Sequence, residues 1–283
     1  MNSSQLLGIT TLAYLLSAML YIAIFVFQAR KLGLAATLVT IGAFLVNTAG
    51  IGLRWQESYQ AGIGYAPLSN MYESLVFFAW AIAIFYLGLE WKYKNRILGA
   101  FSMPFAFLSI AYASLSSQFT KEIKPLIPAL QSNWLIAHVI TCFVGYAAFA
   151  VASGLGIMYL LKDKKTGKEP GSILSSLPEL KEIDDIIHKT LVFGFLWLSA
   201  GIITGAVWAN SAWGTYWSWD PKETWSLITW FVYAATLHAR FTRGWAGRRI
   251  AWLAIIGFVS VIFTYYGVNF LLAGLHSYGG SGG

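Results

Sequence analysis

The sequence predicts an all-α bundle of about eight transmembrane helices, and three observations carry that prediction. Hydrophobic residues make up 57% of the chain and charged residues only 11%, against about 25% charged in an ordinary soluble domain. Apolar stretches long enough to cross a bilayer, on the order of 20 residues, recur along its whole length. Lys and Arg gather in every second connection between those stretches, as they do where short basic loops stay on the cytoplasmic side.

Taken in order, residues 6–27 form the first apolar stretch. No Lys or Arg precedes Arg30, and the run is as long as a true span, so it reads as a retained helix and not a cleaved signal. Residues 34–53 make the second span, followed by Arg54-Trp55-Gln56-Glu57 and a Gly- and Pro-containing loop. Asn70 and Glu73 have capping-box spacing at the start of the third span, residues 71–89. The fourth is 97–115, and residues 116–133, with Pro125 and Pro128, read as an irregular loop. The fifth, 134–161, contains the only cysteine, Cys142; with no CxxC pair or disulfide framework it reads as a packing residue. Residues 162–189 read as a polar loop with a short helix near 179–187 lying on the membrane surface. The sixth span is 191–207, the seventh 227–239 and the eighth 250–272; the seventh is short unless its helix begins at Pro221. Residues 1–278 are thus expected to form one multi-span membrane domain, with a linker-like Gly/Ser tail at 279–283.

Fifteen of the nineteen Lys and Arg fall in the connections around residues 30, 94, 162–189 and 245, leaving only Arg54, Lys121, Lys124 and Lys222 on the other side. This asymmetry predicts that both termini and the stretch 208–230 are external and that 162–189 is cytoplasmic. The net charge of +7 is then a topogenic bias divided among separate loops, and no nucleic-acid partner is expected.

Residues 208–230 hold six of the thirteen tryptophans. An interfacial aromatic belt accounts for any one of them, but the whole run offers a platform of flat rings that suits a large planar ligand. It leads into a helix start: Asp220 as N-cap, Pro221 as the first helical residue, Glu223 as the carboxylate that reaches back. Of the four histidines, His138 and His276 flank this platform on the same predicted side, where neutral imidazoles are suited to ligate haem iron or to form interfacial hydrogen bonds. His238 lies about 13 residues beyond Trp225, or ~20 Å of helix, and so belongs to a separate, inner position. His188 reads as a surface residue.

The stretch Trp213 to Trp225, WGTYWSWDPKETW, resembles the WWD signature of the haem-handling membrane proteins of cytochrome c biogenesis. Trp213, Gly214, Trp217, Trp219, Asp220, Lys222, Glu223 and Trp225 all fall in place, and P-x-x-N-x-Y-E-S at Pro67–Ser74 fits as well. The chain as a whole resembles the CcsA (ResC) family of the system II pathway. That resemblance implies b-type haem as a substrate in transit, with His138 and His276 as external axial ligands and His238 at an inner site. It implies a CcsB (ResB)-like membrane subunit supplying the opposite inner ligand, apocytochrome c with its CxxCH segment, and a thiol-reducing thioredoxin-like protein as partners. Trp213, Trp217, Trp219 and Trp225 would provide stacking surface, Asp220 and Glu223 would hold the segment's shape, and Lys222 and Arg54 are candidates for pairing with propionates. Arg54 reads otherwise as a helix-end residue that snorkels to the outer surface. The chain would serve as the membrane subunit of a cytochrome c haem lyase, in a bacterial cytoplasmic or plastid thylakoid membrane. Two other readings stay open: a haem exporter without ligation activity, and a b-type electron-transfer subunit, which normally pairs its histidines within its own bundle.

Overall fold

The structure, a computed structural model, describes residues 2–164 and 173–272; His276 and the Gly/Ser tail lie outside the described residues. Those residues form α1 (Ser3–Val26), α2 (Gly33–Gln60), α3 (Met71–Tyr93), α4 (Leu98–Leu115), α5 (Asn133–Asp163), α6 (Leu180–Trp213), α7 (Pro221–Arg243) and α8 (Arg248–Ile262). A π-turn, Phe263–Gly267, carries α8 into the short α9 (Val268–Leu271). Seven of these helical runs are long and apolar enough to cross a membrane. Helix α7 has the length, 23 residues, or about 35 Å, but Lys222, Glu223, Arg240 and Arg243 make its ends polar. The chain is a multi-pass membrane protein.

Helix α5 is the hub, packed against α6 along much of its length and against α3, α4 and α8 on its other sides. Its middle is rich in small residues, and Gly145, Ala147, Ala148, Ala150, Ala152, Gly154 and Gly156 are all buried. In lipid, where burying apolar surface gives helices little reason to associate, such residues let backbones approach and dispersion contacts accumulate. Side-chain hydrogen bonds add to this. At the end of the bundle where the basic connections lie, buried Glu90 accepts from Tyr21, Thr37, Tyr86 and Arg96, joining α1, α2 and α3. At the opposite end Glu57 of α2 accepts from the backbone and hydroxyl of Ser3, at the start of α1.

Four local expectations are corrected. Helix α2 runs to Gln60, so Arg54 lies inside it and not at its end. The surface helix expected near 179–187 is the first part of α6, which runs unbroken for 34 residues because no breaker follows Pro178 until Gly214 ends it. Gly194, Gly201 and Gly205 lie within α6 without interrupting it. Trp208 and Trp213 therefore stand on the last turns of α6, not on a surface connection. His188 is half-buried, with Nδ1 buried and the ring against Phe241 at 5.2 Å, so it is not a plain surface residue.

Candidate functional site

A cavity of about 400 Å³ opens at the end of the bundle where α5 and α7 begin and α6 ends. That volume lies in the usual range of small-molecule sites, roughly 300–1,000 Å³. Trp208, Trp213 and Trp217 line it, together with His138 and Cys142 of α5 and Thr264 and Tyr265 of the π-turn. Leu126 and Leu130 of the 116–133 connection and Ser69 and Asn70 ahead of α3 also line it.

His138 is the best-defined group here. Its Nδ1 is 2.8 Å from the carbonyl oxygen of Gly201, an acceptor, so Nδ1 carries the proton and Nε2 the lone pair. The ring lies nearly parallel to Trp208, with centroids 5.9 Å apart and 17° between planes. Trp208 is itself fixed, donating Nε1–H to the carbonyl of Ala129 at 2.8 Å and meeting Trp213 edge-on at 4.8 Å. Gly205 makes this fit possible, since a Cβ there would come within 2.6 Å of the imidazole. Cys142 Sγ lies 3.6 Å from His138 Nδ1, a buried neighbour on the cavity wall.

The connection between α6 and α7 is pinned at both ends. Gly214 closes α6 in the left-handed conformation, at φ 78°. The capping box expected at Asp220 is formed: Asp220 accepts from the backbone N–H of Lys222 at 2.8 Å, and Glu223 accepts from that of Asp220 at 3.2 Å. Glu223 reaches further than a simple box, taking the backbone N–H of Ser218 at 2.8 Å. At the start of α3 Asn70 caps as expected, but Glu73 reaches to Ser69 and not back to Asn70.

The structure divides the predicted site residues. His138, Trp213, Trp217 and Lys222 line the cavity. Lys222 Nζ also meets Asn269 Oδ1 at 3.1 Å, tying α7 to α9. Trp219 points outward, 68% exposed, at φ 59°, a left-handed conformation costly for a bulky side chain. Trp225 packs on Phe263 at 4.2 Å, away from the cavity. Arg54 is only 2% exposed and forms a buried pair with Glu73 at 2.7 Å, outside the large cavity. His238 lies on an exposed face of α7, sixteen residues beyond Lys222 and so ~24 Å along the helix. His276 lies outside the described residues. Sequence reasoning missed Trp208 as a cavity-lining residue, although it belongs to the same Trp-rich run, and missed Leu126 and Leu130, which line the cavity too.

Residues 68–276 match the model of the family described as cytochrome C assembly protein. A CcsA cytochrome c biogenesis protein of Guillardia theta is 46% identical over 257 residues, covering 85% of this chain and 84% of the relative. Those of Prochlorococcus marinus strain MIT 9303 and Gloeobacter violaceus are 42% and 39% identical, covering 96% and 99% of this chain and 92% and 98% of their own lengths. Among solved structures, the cytochrome c haem lyase CcmF has a similar fold, with a TM-score of 0.68 at 17% identity. The match covers 94% of this chain and 47% of that one. With relatives from cyanobacteria and algae, a bacterial inner membrane or a thylakoid membrane is its setting. A family model covering most of the chain and relatives matched over nearly their full length establish that the protein belongs to the CcsA/ResC family of cytochrome c biogenesis proteins.

Proposed function

We propose that the chain receives haem as a substrate, holds it in the Trp-walled cavity on the external face of the membrane, and presents it for covalent attachment to apocytochrome c. The observation that carries this reading is His138, whose Nδ1 is committed to the Gly201 carbonyl and whose ring is held flat against Trp208 at the cavity wall. An imidazole so oriented offers Nε2 to an iron centre, and its hydrogen-bonded Nδ1 raises the basicity of the ligating nitrogen. Trp213 and Trp217 supply aromatic surface for a macrocycle, and Lys222 supplies a cation at the cavity for a propionate. In this reading His276 is the second external ligand.

The attachment chemistry belongs to the haem vinyl groups and the two thiols of a CxxCH segment. The chain's contribution is to hold the substrate in a fixed orientation. A polar ring is costly on a lipid-facing surface, so the exposed face of α7 that carries His238 suits contact with a CcsB-like subunit and an inner haem position shared with it. A thioredoxin-like protein keeping the thiols reduced completes the set of partners. The test is reconstitution of the purified complex, with and without the CcsB-like subunit, from haem and apocytochrome. Covalent product only with both subunits present supports ligation; haem transfer without any thioether product would leave an exporter.

A further inference from the structure

Ser69, Asn70, Pro125 and Leu126 wall the large cavity and also a second one of about 150 Å³. Arg54 and Glu73 line this smaller cavity, and both are buried. Glu73 is saturated, with Oε1 accepting from Arg54 Nε and Oε2 from the backbone and hydroxyl of Ser69. Arg54 is not. Its Nη1 donates to the carbonyl of Lys121 at 2.9 Å, while Nη2 is buried with no hydrogen-bond partner. The Tyr72 ring, 5.2 Å from the guanidinium carbon, holds the group in place. A buried charged donor left without an acceptor is rare and calls for an occupant that accepts from it.

We infer that the small cavity is a carboxylate subsite of the large one, taking a propionate of the same ligand onto Arg54 Nη2 past Ser69 and Asn70, which line both. A single carboxylate fits better than a phosphate. Glu73 already balances the Arg54 charge and the Glu122–Lys124 pair balances itself, so the site offers one unsatisfied donor and not a surplus of charge, and one buried negative charge costs less there than two. The shared wall indicates one ligand, with its flat body among the tryptophans and its acid group beyond. This inference rests on the haem reading and assigns Arg54 and Lys222 to different propionates of the substrate.

The test is a titration of the purified complex with haem and with haem dimethyl ester, followed by Soret absorption. Free-acid haem should bind about ten- to a hundred-fold more tightly than the diester, the usual worth of a hydrogen bond to a charged group. Arg54→Lys keeps a cation beside Glu73 but has no second arm, so the complex should fold and lose part of that preference, with Lys222 and the other propionate keeping the rest. Arg54→Gln/Glu73→Gln, which leaves no unpaired charge, should lose that part too. Equal binding of both forms to the unaltered complex would mean that only water fills the small cavity. Full preference retained in the Arg54 variants but lost in Lys222→Met would place the carboxylate on Lys222; either result overturns the inference and leaves the haem reading standing. Binding of neither form would remove the haem reading and the inference with it.

Discussion

At the residue scale, the four tryptophans of the motif do not share one role. Trp217 lines the cavity and Trp219 points outward, so their alanine variants should differ. Trp217→Ala should weaken haem retention about fivefold, the loss of roughly 1 kcal/mol of aromatic contact, while Trp219→Ala should change it little. Haem bound per complex after gel filtration measures both. Gly205→Ala should push the His138 ring off Trp208 and shift the haem spectrum without removing the ligand, since an added Cβ meets the imidazole at 2.6 Å. Sequence alone marked candidate residues here but not where they point. Spacing tells a side chain's direction only inside a helix or strand, and the turn at Trp219 is neither. Arg54 was legible as an unusual cation, but its buried pairing with Glu73, nineteen positions away, is set by how α2 packs on α3.

At the scale of elements, the α6–α7 connection keeps its shape through Gly214 at one end and Glu223 at the other. Removing the Glu223 carboxylate leaves the N–H groups of Ser218 and Asp220 without an acceptor. Glu223→Ala should therefore cost about 1–3 kcal/mol locally, seen as faster amide exchange at residues 214–220 with α5 and most of α6 unchanged. The α7 start was readable because N-cap, first-turn proline and box carboxylate are local signals. Trp208 and Leu126 were less so. One looked like part of a surface run because α6 continues past its apolar segment, and the other lies in a connection with no periodicity, placed by Tyr65 accepting from its N–H at 2.7 Å.

For the whole molecule, composition and recurring apolar runs made the membrane bundle legible. The grouping of basic residues further predicts its orientation. A reporter fused after Tyr278 should be external and one inserted between Lys165 and Gly171 cytoplasmic; the reverse would invert the site's proposed side. The two proposed haem positions, ~24 Å apart along α7, should also fail independently. His238→Ala should lower total haem in the complex, whereas His138→Ala should leave the inner haem and alter only the external iron. The most direct test is the reduced absorption spectrum of His138→Ala, purified with its partner subunit, before and after free imidazole is added. The external haem should become five-coordinate and poor in thioether formation, and imidazole should restore six-coordination in part by filling the vacated position. A His138→Ala complex that kept the full six-coordinate spectrum and normal attachment without imidazole would contradict the account.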